Sequence, residues 1–253
     1  MASQWPNRIR IGSFVADQSA PGDMRLTTGV DGWGSAPRRL TVNERSTNGS
    51  WFGNRDWAER TIVHSGLIEC STSAAADAIA DELAALDPSV EYEYAVDKNS
   101  TGELACLVRV ALGPSPEWID DSSFTYSLTL VAGDPFKRAL SATTVTVGAG
   151  ATVSHTAAGT FPAEIEVTCT STGTVDLTIA GLRLRTGSLN AGSKLTSGPG
   201  FTNPKRTILS STGVNLFGLI VQPMQWPAMV PGVNSIHQAG TANLSIRYFP
   251  TFA

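Results

Sequence analysis

In a chain of 253 residues only one stretch carries a helical hydrophobic period, and this restricts the possible folds more than any other feature. Ser71 to Leu86 (STSAAADAIADELAAL) opens on Ser and Thr as capping candidates, is dense in Ala, and sets Ala75, Ile79, Leu83 and Leu86 on one stripe. Asp87-Pro88 stops it, because a residue that precedes proline is driven out of the α region. Residues 71–86 predict about 24 Å of helix at ~1.5 Å per residue, packed through one face against a sheet.

Around that helix the sequence reads as strand and turn. Thr61 to Cys70 predicts a strand in which Gly66 suggests a bulge. Val90 to Val96 and Leu104 to Leu112 form a predicted hairpin through Asp97-Lys98-Asn99-Ser100-Thr101-Gly102. Gly113 to Glu117 is a Pro-containing link, and in the strand Phe124 to Val131 the residues Phe124, Tyr126, Leu128 and Leu130 alternate with smaller ones. Gly133-Asp134-Pro135-Phe136-Lys137 breaks the pattern, which sets a domain boundary: residues 1–135 form one domain and 136–253 the other.

Beyond the boundary no helical period survives. Val145 to Val147, Ile165 to Cys169, Val175 to Ile179, Leu182 to Leu184, Leu216 to Val221, Asn234 to Gln238 and Leu244 to Phe249 are short candidate strands between Gly, Pro and Asn turns, the pattern of a sandwich or jelly roll. Pro231-Gly232-Val233-Asn234 leads into a closing hairpin whose last strand carries Leu244, Ile246 and Tyr248 on one face. The fold class is therefore mainly β: an α+β first domain with one helix, then a β-sandwich.

Composition narrows function. Charged residues make up 16% of the chain and the net charge is -4, so a basic footprint for gripping a phosphate backbone is missing. No apolar window reaches the length of a membrane span, and the first residues lack the apolar stretch of a signal peptide, so residence in a cytoplasm without membrane insertion is expected. Cys70, Cys106 and Cys169 are too few and too scattered for a disulfide framework or zinc knuckle and read as free thiols in strand-like runs.

Fragments that imitate reactive motifs each fail at the residue that matters. The run from Asp97 begins like a calcium loop but has Val108 where the twelfth-position carboxylate belongs. Gly187 and Gly192 have P-loop spacing, yet Ser193-Lys194 reverses the order of Lys and hydroxyl. His64, His155 and His237 share no metal-ligand spacing, and Asp120-Asp121 reads as a solvated loop. The expectation is no catalytic residue, no metal, no cofactor and no enzymatic activity. What remains is an aromatic and basic cluster, Trp51, Phe52, Arg55, Trp57 and Arg60, near Asn48 and Asn54. Such side chains serve as interface anchors, as sugar platforms, or simply as core filling. In the second domain Trp226, beside Pro227, is the one tryptophan and a candidate outer contact.

The order of landmarks resembles a known family. Trp57 to Arg60 runs into Ile62 to Ile68; the Ala-rich helix ends in Leu83-Ala84-Ala85-Leu86; a strand leads to Ala132-Gly133-Asp134-Pro135-Phe136-Lys137; then come Gly159-Thr160-Phe161-Pro162-Ala163-Glu164-Ile165-Glu166-Val167 and Met229-Val230-Pro231-Gly232-Val233-Asn234. Together they look like the distal tail, or minor tail, proteins of long non-contractile phage tails. The resemblance implies a first domain that closes into a homo-oligomeric ring, commonly a hexamer, under the tail tube, and a galectin-like or jelly-roll second domain projecting outward. It further implies contacts with the tail tube protein, the tail-tip hub or tail-associated protein and the tape measure protein. DNA would pass through a central channel without specific binding. The protein would reside in the virion at the tail tip, after assembly in the host cytoplasm. A carbohydrate-binding module of the tail tip is the alternative reading.

Overall fold

The computed structural model describes residues 8–17, 23–44, 50–98, 102–196, 207–221 and 225–253, with the backbone alone for 17, 38–44, 50–57 and 98. The chain divides into two compact units, Met1–Lys137 with Ala253, and Arg138–Phe252. Strands dominate both, and among the described residues the single α-helix lies in the first.

The first unit contains β1 (Arg8–Ile11), β2 (Phe14–Asp17), β3 (Met24–Asp31), β4 (Arg38–Glu44), β5 (Ser50–Trp57), β6 (Arg60–Glu69), α1 (Ser73–Ala84), β7 (Tyr92–Lys98), β8 (Gly102–Leu112), β9 (Glu117–Asp120) and β10 (Ser123–Ala132). Its main sheet runs β2-β1-β7-β8-β10-β6-β3, with β9 added to β10, while β4 and β5 pair only with each other. β6 and β10 form the spine, antiparallel over ten residues from Arg60↔Ala132 to Glu69↔Ser123. Along β10, Phe124, Tyr126, Leu128 and Leu130 all face the core, as their alternation predicts.

The helix is shorter than the 71–86 read from the sequence. Thr72 is the N-cap, its Oγ1 accepting from the Ala75 amide at 3.2 Å. The buried stripe is Ala76, Ile79, Leu83 and, just past the helix, Leu86; Ala75 sits at its margin, so the stripe starts one residue later than predicted. Arg25 of β3 fixes the outer side through Glu82 at 3.2 Å.

Gly66 does not bulge its own strand. The register shift lies opposite, in β3 between Thr27 and Gly29. Gly66 is instead required because a Cβ there would stand 2.5 Å from the Tyr126 ring. The Pro-containing link Gly113 to Glu117 runs into a short strand that the sequence reading did not include, β9, whose turn into β10 is held by Asp120 Oδ1 accepting from the Ser122 amide at 2.8 Å.

The second unit starts within β11 (Lys137–Ala139), whose first residue belongs to the first unit, and contains β12 (Thr143–Val147), β13 (Thr152–Ala157), β14 (Ile165–Cys169), β15 (Gly173–Ile179), β16 (Leu182–Leu189), β17 (Lys194–Thr196), β18 (Thr207–Leu209), β19 (Gly232–Gln238), β20 (Leu244–Tyr248) and β21 (Thr251–Phe252). Sheet β12-β20-β14-β17-β18 and sheet β13-β19-β15-β16 share one apolar core, to which Val167, Leu195 and Ile246 come from the first and Leu177, Leu184 and Ile236 from the second. Leu244, Ile246 and Tyr248 share the inward face of β20. Leu216 to Val221 is not the strand its apolar content predicts. It forms a 3-10 turn, Phe217–Leu219, bound to β16 only through the bridge Thr186↔Ile220 and the Val221 amide on Arg185 O at 3.0 Å, with Phe217, Leu219 and Val221 exposed. Of its apolar side chains, Leu216 and Ile220 pack against the second core.

Candidate functional site

Among the described residues no group of three or more His, Cys, Asp or Glu side chains could hold a metal ion, and no helix is long and apolar enough to cross a membrane. The chemistry-bearing residues singled out from the sequence distribute instead over a ribbon root, a sheet edge and two polar inclusions in the cores.

The ribbon is β4–β5, joined from Arg38↔Trp57 to Glu44↔Ser50 and closed at its base by the Ala58 amide on Pro37 O at 3.1 Å. The backbone places Trp51, Phe52, Arg55 and Trp57 on β5; their side chains lie outside the described residues, as does Asn48. Arg60 is different. With 1% of its surface exposed, it stands in phase with Ile62, His64 and Ile68 on the inward face of β6. Its Nε and Nη2 donate to Pro135 O at 2.9 and 2.7 Å, and Nη1 donates to Gly32 O and Gly34 O at 2.9 and 2.8 Å. Arg60 therefore leaves the contact cluster in which the sequence reading grouped it, because a buried guanidinium spent on three carbonyls is no anchor for a partner. Burial lowers its pKa, while nearby Cys106 opposes that shift; a guanidinium stays charged regardless.

Lys137 completes the clamp: Nζ donates to Trp33 O at 3.1 Å and Gly34 O at 2.8 Å and lies 5.4 Å over the Trp33 ring. Gly32 has φ +78°, and a Cβ there would meet Thr61 O at 1.9 Å, so the Gly-Trp-Gly tight turn admits only glycine at its first position. The landmark Asp134-Pro135-Phe136-Lys137 and the landmark Trp57 to Arg60 thus meet at one place, the root of the ribbon.

Inside the same unit His64 is fully buried between Tyr94 and Tyr126, ring centroids 6.0 and 5.6 Å away, with Nε2 3.3 Å from Thr27 Oγ1. Desolvation brings its pKa down to about 4 and pushes both tyrosines up. Among the described residues His64 Nδ1, Tyr94 OH and Tyr126 OH are buried and have no hydrogen-bond partner.

In the second unit the two landmark segments also meet. Ala163 and Met229 exchange backbone hydrogen bonds at 2.8 and 2.9 Å. Asn234, 1% exposed, accepts from the Val230 amide at 3.0 Å and donates to Val230 O and Gly232 O at 2.7 and 2.9 Å. Gly232 has φ +90°, the positive φ that the Pro-Gly turn demands. Trp226 is half-buried and packs against the second core. No disulfide forms among the described residues: Cys106 and Cys169 are buried in strands, and Cys70, partly buried, follows β6.

No protein-family model matches the sequence, and no curated protein is similar to it. Solved structures do match. The Dit protein of phage SPP1, described as a paradigm of the hub adsorption apparatus in phages infecting Gram-positive hosts, superposes with a TM-score of 0.71 at 12% identity, over 97% of this chain and 99% of that one. A chain of the phage p2 baseplate in its activated conformation matches with a TM-score of 0.52 over 95% of this chain and 97% of that one, at 9% identity in the strontium structure and 8% in the calcium structure. Over nearly its whole length, then, the chain has the fold of a phage distal tail protein, which is the resemblance its ordered landmarks carry.

Proposed function

We propose that this protein is a structural component of a phage tail tip: a distal tail protein whose first unit closes into a ring, commonly a hexamer, between the tail tube and the adsorption apparatus. The observation that carries this reading is the end-to-end fold likeness to SPP1 Dit, which takes in both units and not a shared sandwich alone. Fold by itself does not fix function. The reading also draws support from where the polar residues are spent, since Arg60, Lys137 and Asn234 hold main-chain turns rather than a reacting group.

In this role the second unit is the galectin-like module on the outside of the ring. Tail tube protein, hub protein and tape measure protein are the partners, DNA traverses the opening without specific contacts, and the site of action is the virion tail tip after assembly in the host cytoplasm. The ribbon residues Trp51, Phe52, Arg55 and Trp57 supply contacts to neighbouring copies or to the tube. A net charge of -4 favours passage of DNA over adhesion. Mixing the purified protein with its tube protein and imaging the product tests this: rings capping tube ends are expected, and a protein that neither self-associates nor joins tubes contradicts it.

The alternative, a saccharide-binding module acting through Trp226, has less behind it, because that ring leans on the second core. Titration with host-wall polysaccharide separates the two readings, with no binding expected.

A further inference from the structure

The first unit leaves one sheet edge both open and apolar. Among the described residues β9 pairs with β10 on one side only, and all four of its residues are exposed. Ile119 is 62% exposed and Trp118, although it rests on Phe124 at a centroid distance of 4.9 Å, is 44% exposed. With Ser73 and Asp77 of α1 and with Asp120 and Asp121, these two residues line an open groove of about 430 Å³. Edges of this kind template pairing with another chain, and proteins that stay monomeric blunt them. Here Pro114 and Pro116 before β9 and the two aspartates at its end confine any pairing to four residues. A groove lined by Trp118 and Ile119 together with three carboxylates suits an occupant that is aromatic and cationic.

The chain itself contains such an element. Residues 38–57 hold Arg38, Arg39, Arg45 and Arg55 against Glu44 and Asp56, together with Trp51, Phe52 and Trp57. Among the described residues the two strands there pair only with each other, and a lone two-stranded ribbon is marginal in water unless it packs on something. Its root lies far from the groove of the same copy. The ribbon is rooted at Arg60, opposite Ala132, whereas β9 joins β10 at Ser123 to Thr125, opposite Glu69. Root and groove thus stand at the two ends of the β6–β10 spine, roughly 30 Å apart at ~3.3 Å per residue. Two complementary surfaces at opposite ends of one unit make a head-to-tail contact, the heterologous type that closes rings.

The geometry points to the β4–β5 ribbon of one copy docking into the β9–α1 groove of the next, with Trp118 and Ile119 as the apolar seat and Asp77, Asp120 and Asp121 facing the ribbon's arginines. This rests on the ring reading and specifies its interface. The test uses the full-length protein with Ile119 replaced by the photoreactive benzoylphenylalanine, mixed with isotopically heavy copies and irradiated. The expected product joins position 119 of one copy to a peptide within residues 38–57 of another. In parallel, Ile119→Asp, an exposed change that leaves the circular dichroism spectrum and melting temperature unaltered, weakens self-association at least about tenfold in sedimentation. Crosslinks to other segments, or an undiminished ring in the variant, overturn this interface while the ring stands. A wild-type protein that stays monomeric alone and with tube protein overturns both.

Discussion

Arg60 shows how much a single inward side chain can organise. Three carbonyls from segments 28 and 75 residues away converge on it, and truncation strands all of them in a dry site, at ~1–3 kcal/mol for each unsatisfied group. Arg60→Leu is therefore expected to lower the stability of the first unit by at least about 3 kcal/mol in urea unfolding. Arg60→Lys rescues little, because an ammonium lacks the planar fork that serves both directions. His64 gives the unit a pH dependence of defined sign. Its pKa of about 4 in the folded state lies below the 6.5 of an unfolded chain, so between those values the unfolded chain binds more protons. Stability from neutral His64 is complete above pH 6.5 and drains away as pH falls toward 4, by at most ~3 kcal/mol. Melting temperatures at pH 7 and 4.5 check this through the difference between wild type and His64→Phe: the variant's decline should be the shallower one.

At the scale of elements, the Pro-Gly-Val-Asn turn is a discrete test of whether the units melt separately. Asn234→Ala removes three hydrogen bonds from a buried site and is expected to cost the second unit about 2–3 kcal/mol. Calorimetry should show one transition moving down while a second, from the first unit, stays in place. The elements also differ in how plainly the sequence spelled them. α1 and β10 were legible because each has a period that only one secondary structure satisfies, and β14 and β20 because their apolar residues alternate. β9 was not, since four residues after Pro114 and Pro116 are too few to show a period, and residues 216–221 are apolar without the alternation that marks a strand. At the candidate site the residue types were visible and their directions were not. Period two from Ile62 through Ile68 does extend back to Arg60, so strand phase was the signal that could have turned that arginine inward; the carbonyls awaiting it come from distant segments that no local pattern reports.

At the scale of the whole molecule, two β units with separate cores, polar groups spent on turns and, among the described residues, an open edge at β9 are the features on which the proposed role as a fitted part rests. A ring of standard interfaces, each burying roughly 800 Å² per partner, would use that edge, whereas an isolated monomer would leave it as an aggregation hazard. The most direct measurement is electron microscopy of the purified protein, paired with sedimentation for mass. The account predicts closed rings with a central opening and, for six copies of 26.6 kDa, a mass of roughly 160 kDa. A monodisperse 26.6 kDa particle that never closes, at any concentration or beside its tube protein, contradicts it.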